Sequence, residues 1–300
     1  MKKYILPALI LLISSLFITG CKSDNEMQVN EKDGMQYYHN KDYKKAFPFL
    51  EKSAQSGNAK ASYYLGKMYQ NGEGISENNE KACQQYLESS ERNYKEAYLE
   101  TAICFYFGEG VEKNYSEAFK WGKRFADEVD NSSLDEKNQV RLAILMQNLY
   151  YKGMGTLQDF SEAAKWARKG AELGDGHSQG LLAFFLSSGK GVLQNKAEAK
   201  FWAEKSATQN NSFGQNVLGF LYEHPPKGEK ENMKEAIRWY QKASQQGVYS
   251  STFMLAKIYE EGKGVDKDIN KASYFYRLAV KQGSKEAGEK LKELEKNKSF

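Results

Sequence analysis

Few residues in this chain have types and spacings that could do chemistry. Ser187-Ser188-Gly189-Lys190 has the serine-to-lysine spacing of an acyl-transfer nucleophile and its base, and Ser23-Asp24-Asn25 mimics a second motif of that set. No Lys-Thr-Gly follows, the first string falls on a glycine turn and the second in a polar stretch, so both read as chance spacing. Asp266-Lys267-Asp268-Ile269-Asn270 starts like a calcium loop, but Lys271 replaces the turn glycine and Arg277 the ligating glutamate. It reads instead as the capped start of a helix. His39, His177 and His224 stand far apart without ligand spacing, so neither a metal nor another cofactor is expected.

What must position any site is an array of repeats. Ala46, Ala82, Ala118, Ala163, Ala199, Ala236 and Ala272 are 36, 36, 45, 36, 37 and 36 residues apart. Three to four residues after each comes a large apolar group: Leu50, Tyr86, Trp121, Trp166, Trp202, Tyr240 and Tyr276 among them. Glycine pairs such as Gly72/Gly74, Gly108/Gly110, Gly153/Gly155, Gly189/Gly191 and Gly262/Gly264 precede most of these alanines. Ahead of the glycines, Ala61, Leu65, Met68 and Tyr69 recur at i, i+4, i+7 and i+8, the spacing of one helix face. Each unit is therefore predicted to be a helix, a glycine turn and a second helix, stacked on its neighbours because one hairpin cannot bury its apolar face alone. Gly66 and Ala82 are expected at the closest helix contact.

Ala61 to Ile75 with Lys81-Ala82, repeated almost word for word by Leu255 to Val265 with Lys271-Ala272, resembles the Sel-one-like repeat, a longer-turned relative of the tetratricopeptide repeat. The resemblance covers residues 31–284 and implies an all-α, right-handed α-solenoid of about seven helix-turn-helix repeats, with residues 285–300 as a C-terminal capping helix and tail. Its motif residues are packing residues, so it says more about fold than function. The unit from Gly34 to Gly57 lacks the glycine turn, residues 129–137 add nine residues read as a loop or a lengthened helix, and Pro225-Pro226 forbid helix continuation in the sixth turn.

The first residues belong to a different pattern. Met1-Lys2-Lys3, the apolar run from Tyr4 to Phe17 and Ile18-Thr19-Gly20-Cys21 resemble the signal and lipobox of bacterial lipoproteins. That resemblance implies a signal peptide over 1–20, lipidation of Cys21, a polar tether over 21–30 and a place in the cell envelope, anchored at the outer membrane and facing the periplasm. Lys22-Ser23 lacks the aspartate of inner-membrane retention. Export implies an oxidising compartment. Cys83 and Cys104 lie about equally far from the Arg92-Asn93-Tyr94 junction, so an antiparallel helix pair sets them at one height. A disulfide and two buried thiols both remain open; cysteine-rich relatives place their pairs within one repeat, which this arrangement does not match.

The formal charge is +4, half of it from Lys2 and Lys3, and no basic tract suggests nucleic acid. What remains is surface. In tetratricopeptide-like stacks the first helices line the concave face, and counting from the repeat core places Tyr38, Tyr63, Leu99, Ile103, Tyr106, Ile144, Tyr151, Phe184, Phe213, Phe220 and Phe253 there. So apolar a groove points to a protein partner. The expected function is a non-enzymatic, envelope-anchored scaffold, used as an adaptor or as an immunity protein neutralising a secreted phospholipase-type toxin. The alternative, carried by cysteine-rich relatives, is an enzyme that binds or hydrolyses β-lactams.

Overall fold

The repeat pattern becomes helices throughout the computed structural model, which describes residues 28–130 and 134–296. The chain is all-α: among the described residues there is no strand. It divides into two compact units between residues 133 and 134. The first holds α1 (28–39), α2 (Tyr43–Gln55), α3 (Ala59–Asn71), α4 (Asn79–Glu91), α5 (Tyr98–Phe107) and α6 (Tyr115–Glu128). The second holds α7 (Glu136–Lys152), α8 (Phe160–Glu172), α9 (Gly176–Ser188), α10 (Lys196–Thr208), α11 (Ser212–Glu223), α12 (Met233–Gln245), α13 (Tyr249–Glu261), α14 (Ile269–Lys281) and α15 (Lys285–Lys296). Odd and even helices pair into hairpins, and α15 packs on α14 at the end. The signal segment, Cys21 and the tether up to residue 27 lie outside the described residues. Residues 28–30, expected in the tether, are instead the first turn of α1, where Asn30 is buried.

All seven repeat alanines are buried. They admit a close helix crossing in which one small and one large residue face each other. A Cβ on Gly66 would stand 2.7 Å from the Tyr86 ring and 3.2 Å from the Ala82 carbonyl, and one on Gly219 would stand 2.7 Å from the Tyr240 ring. Repeat register inverts the pair in α7 and α8, where Gln147 takes the glycine place and Ala167 the tyrosine place, both fully buried. The ring hydroxyl then ties the hairpin: Tyr86 donates to Gln70 at 2.8 Å, Tyr240 to Glu223 at 2.9 Å and Tyr276 to Glu260 at 2.5 Å.

The two turn glycines do different jobs. Gly72 ends α3 in the left-handed region with φ of 67° and returns its N–H to the Met68 carbonyl, which a side chain would make costly. Gly110 lies against the preceding repeat: a Cβ there would sit 2.4 Å from Glu80 Cα and 2.5 Å from the Asn79 carbonyl oxygen. After the turn, Asn78 and Asp268 cap the next helix and close the loop by donating their N–H to Tyr69 and Tyr259 carbonyls. Asn232 closes on Tyr222 in the same way although Pro225 and Pro226 replace the glycines. The insertion before the fourth hairpin lengthens a helix, giving α7 17 residues where most of the others have 13. Between repeats of the second unit, Gln209 donates to buried Gln179 at 2.8 Å and Gln246 to buried Gln215 at 2.9 Å, so side-chain amides fix the stacking as well as apolar contact.

Cys83 and Cys104 form a disulfide that joins α4 to α5 with 5.9 Å between their Cα atoms. This decides between the two open alternatives.

Candidate functional site

In the second unit α7, α9, α11 and α13 present their outward sides on one face. Helix spacing brings Tyr151, Phe184 and Phe213 into a row across three of them: Tyr151 meets Phe184 edge-on at 6.1 Å between centroids, and Phe184 meets Phe213 at 5.9 Å. All three are half-buried, and Phe220 is 37% exposed with its ring stacked on His224 at 4.6 Å. Two hollows flank the Phe184–Phe213 ridge. One, of about 380 Å³, is lined by Asn148, Tyr151, Lys152, His177, Asn211 and Phe213. The other, of about 230 Å³, lies among Phe184, Ser188, Asn216, Phe220, Ser250 and Met254.

The polar groups of this face are set by their helices. Asp175 caps α9 through the Ser178 N–H, which places His177 in the first turn facing Asn148, with Nε2 3.4 Å from Asn148 Oδ1. Burial holds the His177 imidazole below its usual pKa, so the ring is neutral at pH 7. Lys190 lies over the Phe160 and Phe184 rings and Lys196 over Phe220, within 5.5–5.9 Å of each. The serine-to-lysine string is thereby split: Ser187 donates to the Phe184 carbonyl at 2.9 Å, while the Lys190 ammonium faces aromatic rings. Among the described residues no group of three or more His, Cys, Asp or Glu side chains is placed to hold a metal ion, and no helix is long and apolar enough to cross a membrane.

The remaining counted positions behave differently. Ile144 on α7 is half-buried, and Phe253 packs against Tyr276 in the core under α14. In the first unit Tyr63 is half-buried among Tyr64, Tyr86 and Tyr94, while Ile103 and Tyr106 are half-buried on α5. Tyr38 donates to Glu73 at 3.0 Å, and burial followed by that carboxylate pushes its hydroxyl pKa well up. Leu99 is a correction: at 3% exposure it is core and lines no groove. Ala97, Tyr98, Thr101 and Ala102 are buried with it, so the first turn of α5 is enclosed by its neighbours.

Sequence counting missed two exposed side chains. Leu157 and Leu193 are 88% and 91% exposed on consecutive turns, each followed by a glutamine that pins the loop: Gln158 donates to the Tyr151 carbonyl and Gln194 to the Ser187 carbonyl. Aligned turns put Ser76, Glu112 and Asp266 at that place, so the signal was a leucine two residues after the second glycine. Asn148, His177, Asn211 and Asn216 were also missed, because polar residues at helix spacing look like ordinary surface.

The Sel1 repeat profile matches residues 33–58, 59–94, 95–130, 139–175, 176–211, 212–248 and 250–284. This chain belongs to the Sel1 repeat family. Repeats of this family serve as protein-interaction scaffolds. A protective antigen of uropathogenic Escherichia coli strains displaying an SLR fold is 25% identical with a TM-score of 0.60, the match covering 90% of this chain and 56% of that one. The chain thus spans little more than half the length of that antigen. A Sel1 repeat protein from Oxalobacter formigenes is 26% identical over 83% of this chain and 96% of its own, with a TM-score of 0.57. An immunity protein from Pseudomonas aeruginosa is 18% identical over 75% and 81% of the two chains, at a TM-score of 0.37. No curated protein matches the chain.

Proposed function

We propose that this Sel1 repeat protein is a non-enzymatic scaffold that binds another protein on the first-helix face of its second unit. The observation that carries the reading is the row Tyr151, Phe184 and Phe213, continued by exposed Phe220 and flanked by two open hollows. Aromatic rings with exposed edges beside cavities are the surfaces on which protein partners anchor, and a partner that buries them gains far more than water loses. The lipobox-like Ile18 to Cys21 supports a lipid anchor at Cys21 in the bacterial envelope, with the outer membrane and a periplasmic orientation as the proposed place.

The test is a photo-crosslinking amino acid introduced at Phe220 in living cells, with a second at Phe107 in the first unit, whose ring is 57% exposed. A discrete adduct from position 220 and none from 107 is expected; adducts from 107 alone would refute the assignment. Mass spectrometry of the mature N-terminus checks the anchor, with acylated Cys21 expected and an unprocessed Met1 overturning it. Immunity and adaptor uses separate by the neighbouring reading frame, since an immunity protein sits beside its toxin.

A further inference from the structure

Three asparagines of the two hollows have side-chain oxygens that are already engaged. Asn211 Oδ1 accepts the N–H groups of Phe213 and Gly214, both at 3.1 Å, as the cap of α11. Asn216 Oδ1 accepts from the hydroxyls of Ser251 at 2.6 Å and Ser250 at 3.3 Å. Asn148 Oδ1 faces His177 Nε2, which makes that nitrogen the donor of the pair. In all three the amide NH₂ is the half left over, with no partner among the described residues.

Charge points the same way. Lys152 lines the larger hollow and makes no ion pair among the described residues, and neither do Lys190 and Lys196 on the aromatic face. Helix α9 contains no carboxylate. The one on α11, Glu223, is 6% exposed and accepts from Tyr240 at 2.9 Å and from Lys263 at 3.0 Å. Asp175 is spent capping α9. The larger hollow is thus lined by rings, amide groups and the Lys152 ammonium, and by no carboxylate.

Resting on the protein-binding reading above, the geometry points to its occupant: an extended partner segment with an acidic side chain in the Lys152–His177 hollow and a large apolar side chain in the Phe184–Phe220 hollow. A carboxylate brings acceptors to the NH₂ groups of Asn148 and Asn211, and charge-assisted bonds from these and from Lys152 offset its desolvation. An apolar or basic side chain there offers those donors no acceptor. The hollows straddle one ridge, so they are separated by about the 8–10 Å of neighbouring packed helices. A partner chain in the polyproline II conformation rises about 3.1 Å per residue and returns the same face every third residue, which sets the two anchors three positions apart.

The test is selection of a random dodecapeptide library on the immobilised full chain, followed by affinity measurement of the enriched peptides. The expected consensus is Asp or Glu three positions from an aromatic or large aliphatic residue. Lys152→Glu should then weaken those peptides about tenfold or more, and Phe220→Ala should weaken them while leaving the preference for the acid. Enrichment of apolar or basic peptides without an acid, sensitive to Phe220→Ala, would overturn the acidic occupant and leave the protein-binding face standing. No enrichment, or binders indifferent to both substitutions, would overturn both.

Discussion

The two units share one repeat and use their aromatic residues in opposite ways. In the first, tyrosines satisfy one another and their neighbours: Tyr63 touches Tyr64, Tyr86 and Tyr94, Lys67 lies 5.7 Å over both Tyr63 and Tyr64, and Tyr38 and Tyr86 spend their hydroxyls on Glu73 and Gln70. Its cleft of about 430 Å³ lies between α2 and α4, where Glu51, Lys81, Glu88 and Arg92 mix both signs and Arg92 pairs with Glu88 at 3.3 Å. The second unit contains no cysteine, and its phenylalanines have no hydroxyl to satisfy and stand beside open hollows, one of them lined by Lys152. The alanines and glycines that build a hairpin therefore leave face chemistry free. One unit ties most of its tyrosines together and joins two helices by a disulfide, while the other sets a row of half-buried rings beside two open hollows.

The comparison breaks most severely at a turn glycine. Gly110→Ala forces a side chain into φ of 73° and drives its Cβ into the Glu80 backbone, so the first unit should lose about 2–5 kcal/mol in urea denaturation. A loss under about 0.5 kcal/mol would mean that repeats do not meet there. The next effect is the staple. Replacing both cysteines, Cys83→Ala with Cys104→Ala, opens a loop of 21 residues and should cost about 3 kcal/mol. Hydrogen exchange should quicken in α4 and α5 and stay unchanged in α9 and α11; faster exchange in α9 and α11 would tie the units more closely than their separate cores imply. The smallest effect sharpens the second unit. His177 is held below its usual pKa, so the unfolded chain binds a proton first as pH falls, and stability must drop below the unfolded value near 6.5. His177→Gln should blunt that acid sensitivity, measured as the change in Tm between pH 7 and pH 5.

Much of this was legible in the sequence because the rules that build a repeat are local. Alanine spacing, helix periodicity and the Gly-x-Gly pairs specified the hairpins, and the extra residues around 129–137 marked an insertion without deciding between a loop and the longer helix that α7 is. The face was less legible. Counting along a helix says which residues point outward from its hairpin, but not which neighbour covers them, and Leu99 is covered in the core. The donors at Asn148, Asn211 and Asn216 were invisible for another reason: an asparagine's free half is known only once its oxygen has found a partner. Leu157 and Leu193 were within reach, since an aligned repeat shows leucine where other turns are polar.

The second unit's aromatic face, and not the first unit's, is the binding surface we propose. The direct measurement is the affinity of the crosslinked partner, once purified, for two paired variants, Phe184→Ala with Phe220→Ala and Tyr63→Ala with Tyr106→Ala. The first pair should weaken binding by about 2 kcal/mol or more, roughly thirtyfold, with helicity and Tm preserved, while the second leaves it within about twofold. Loss of binding in the tyrosine pair with the phenylalanine pair unaffected would contradict the claim, as would a phenylalanine pair that loses its partner only because the unit has melted.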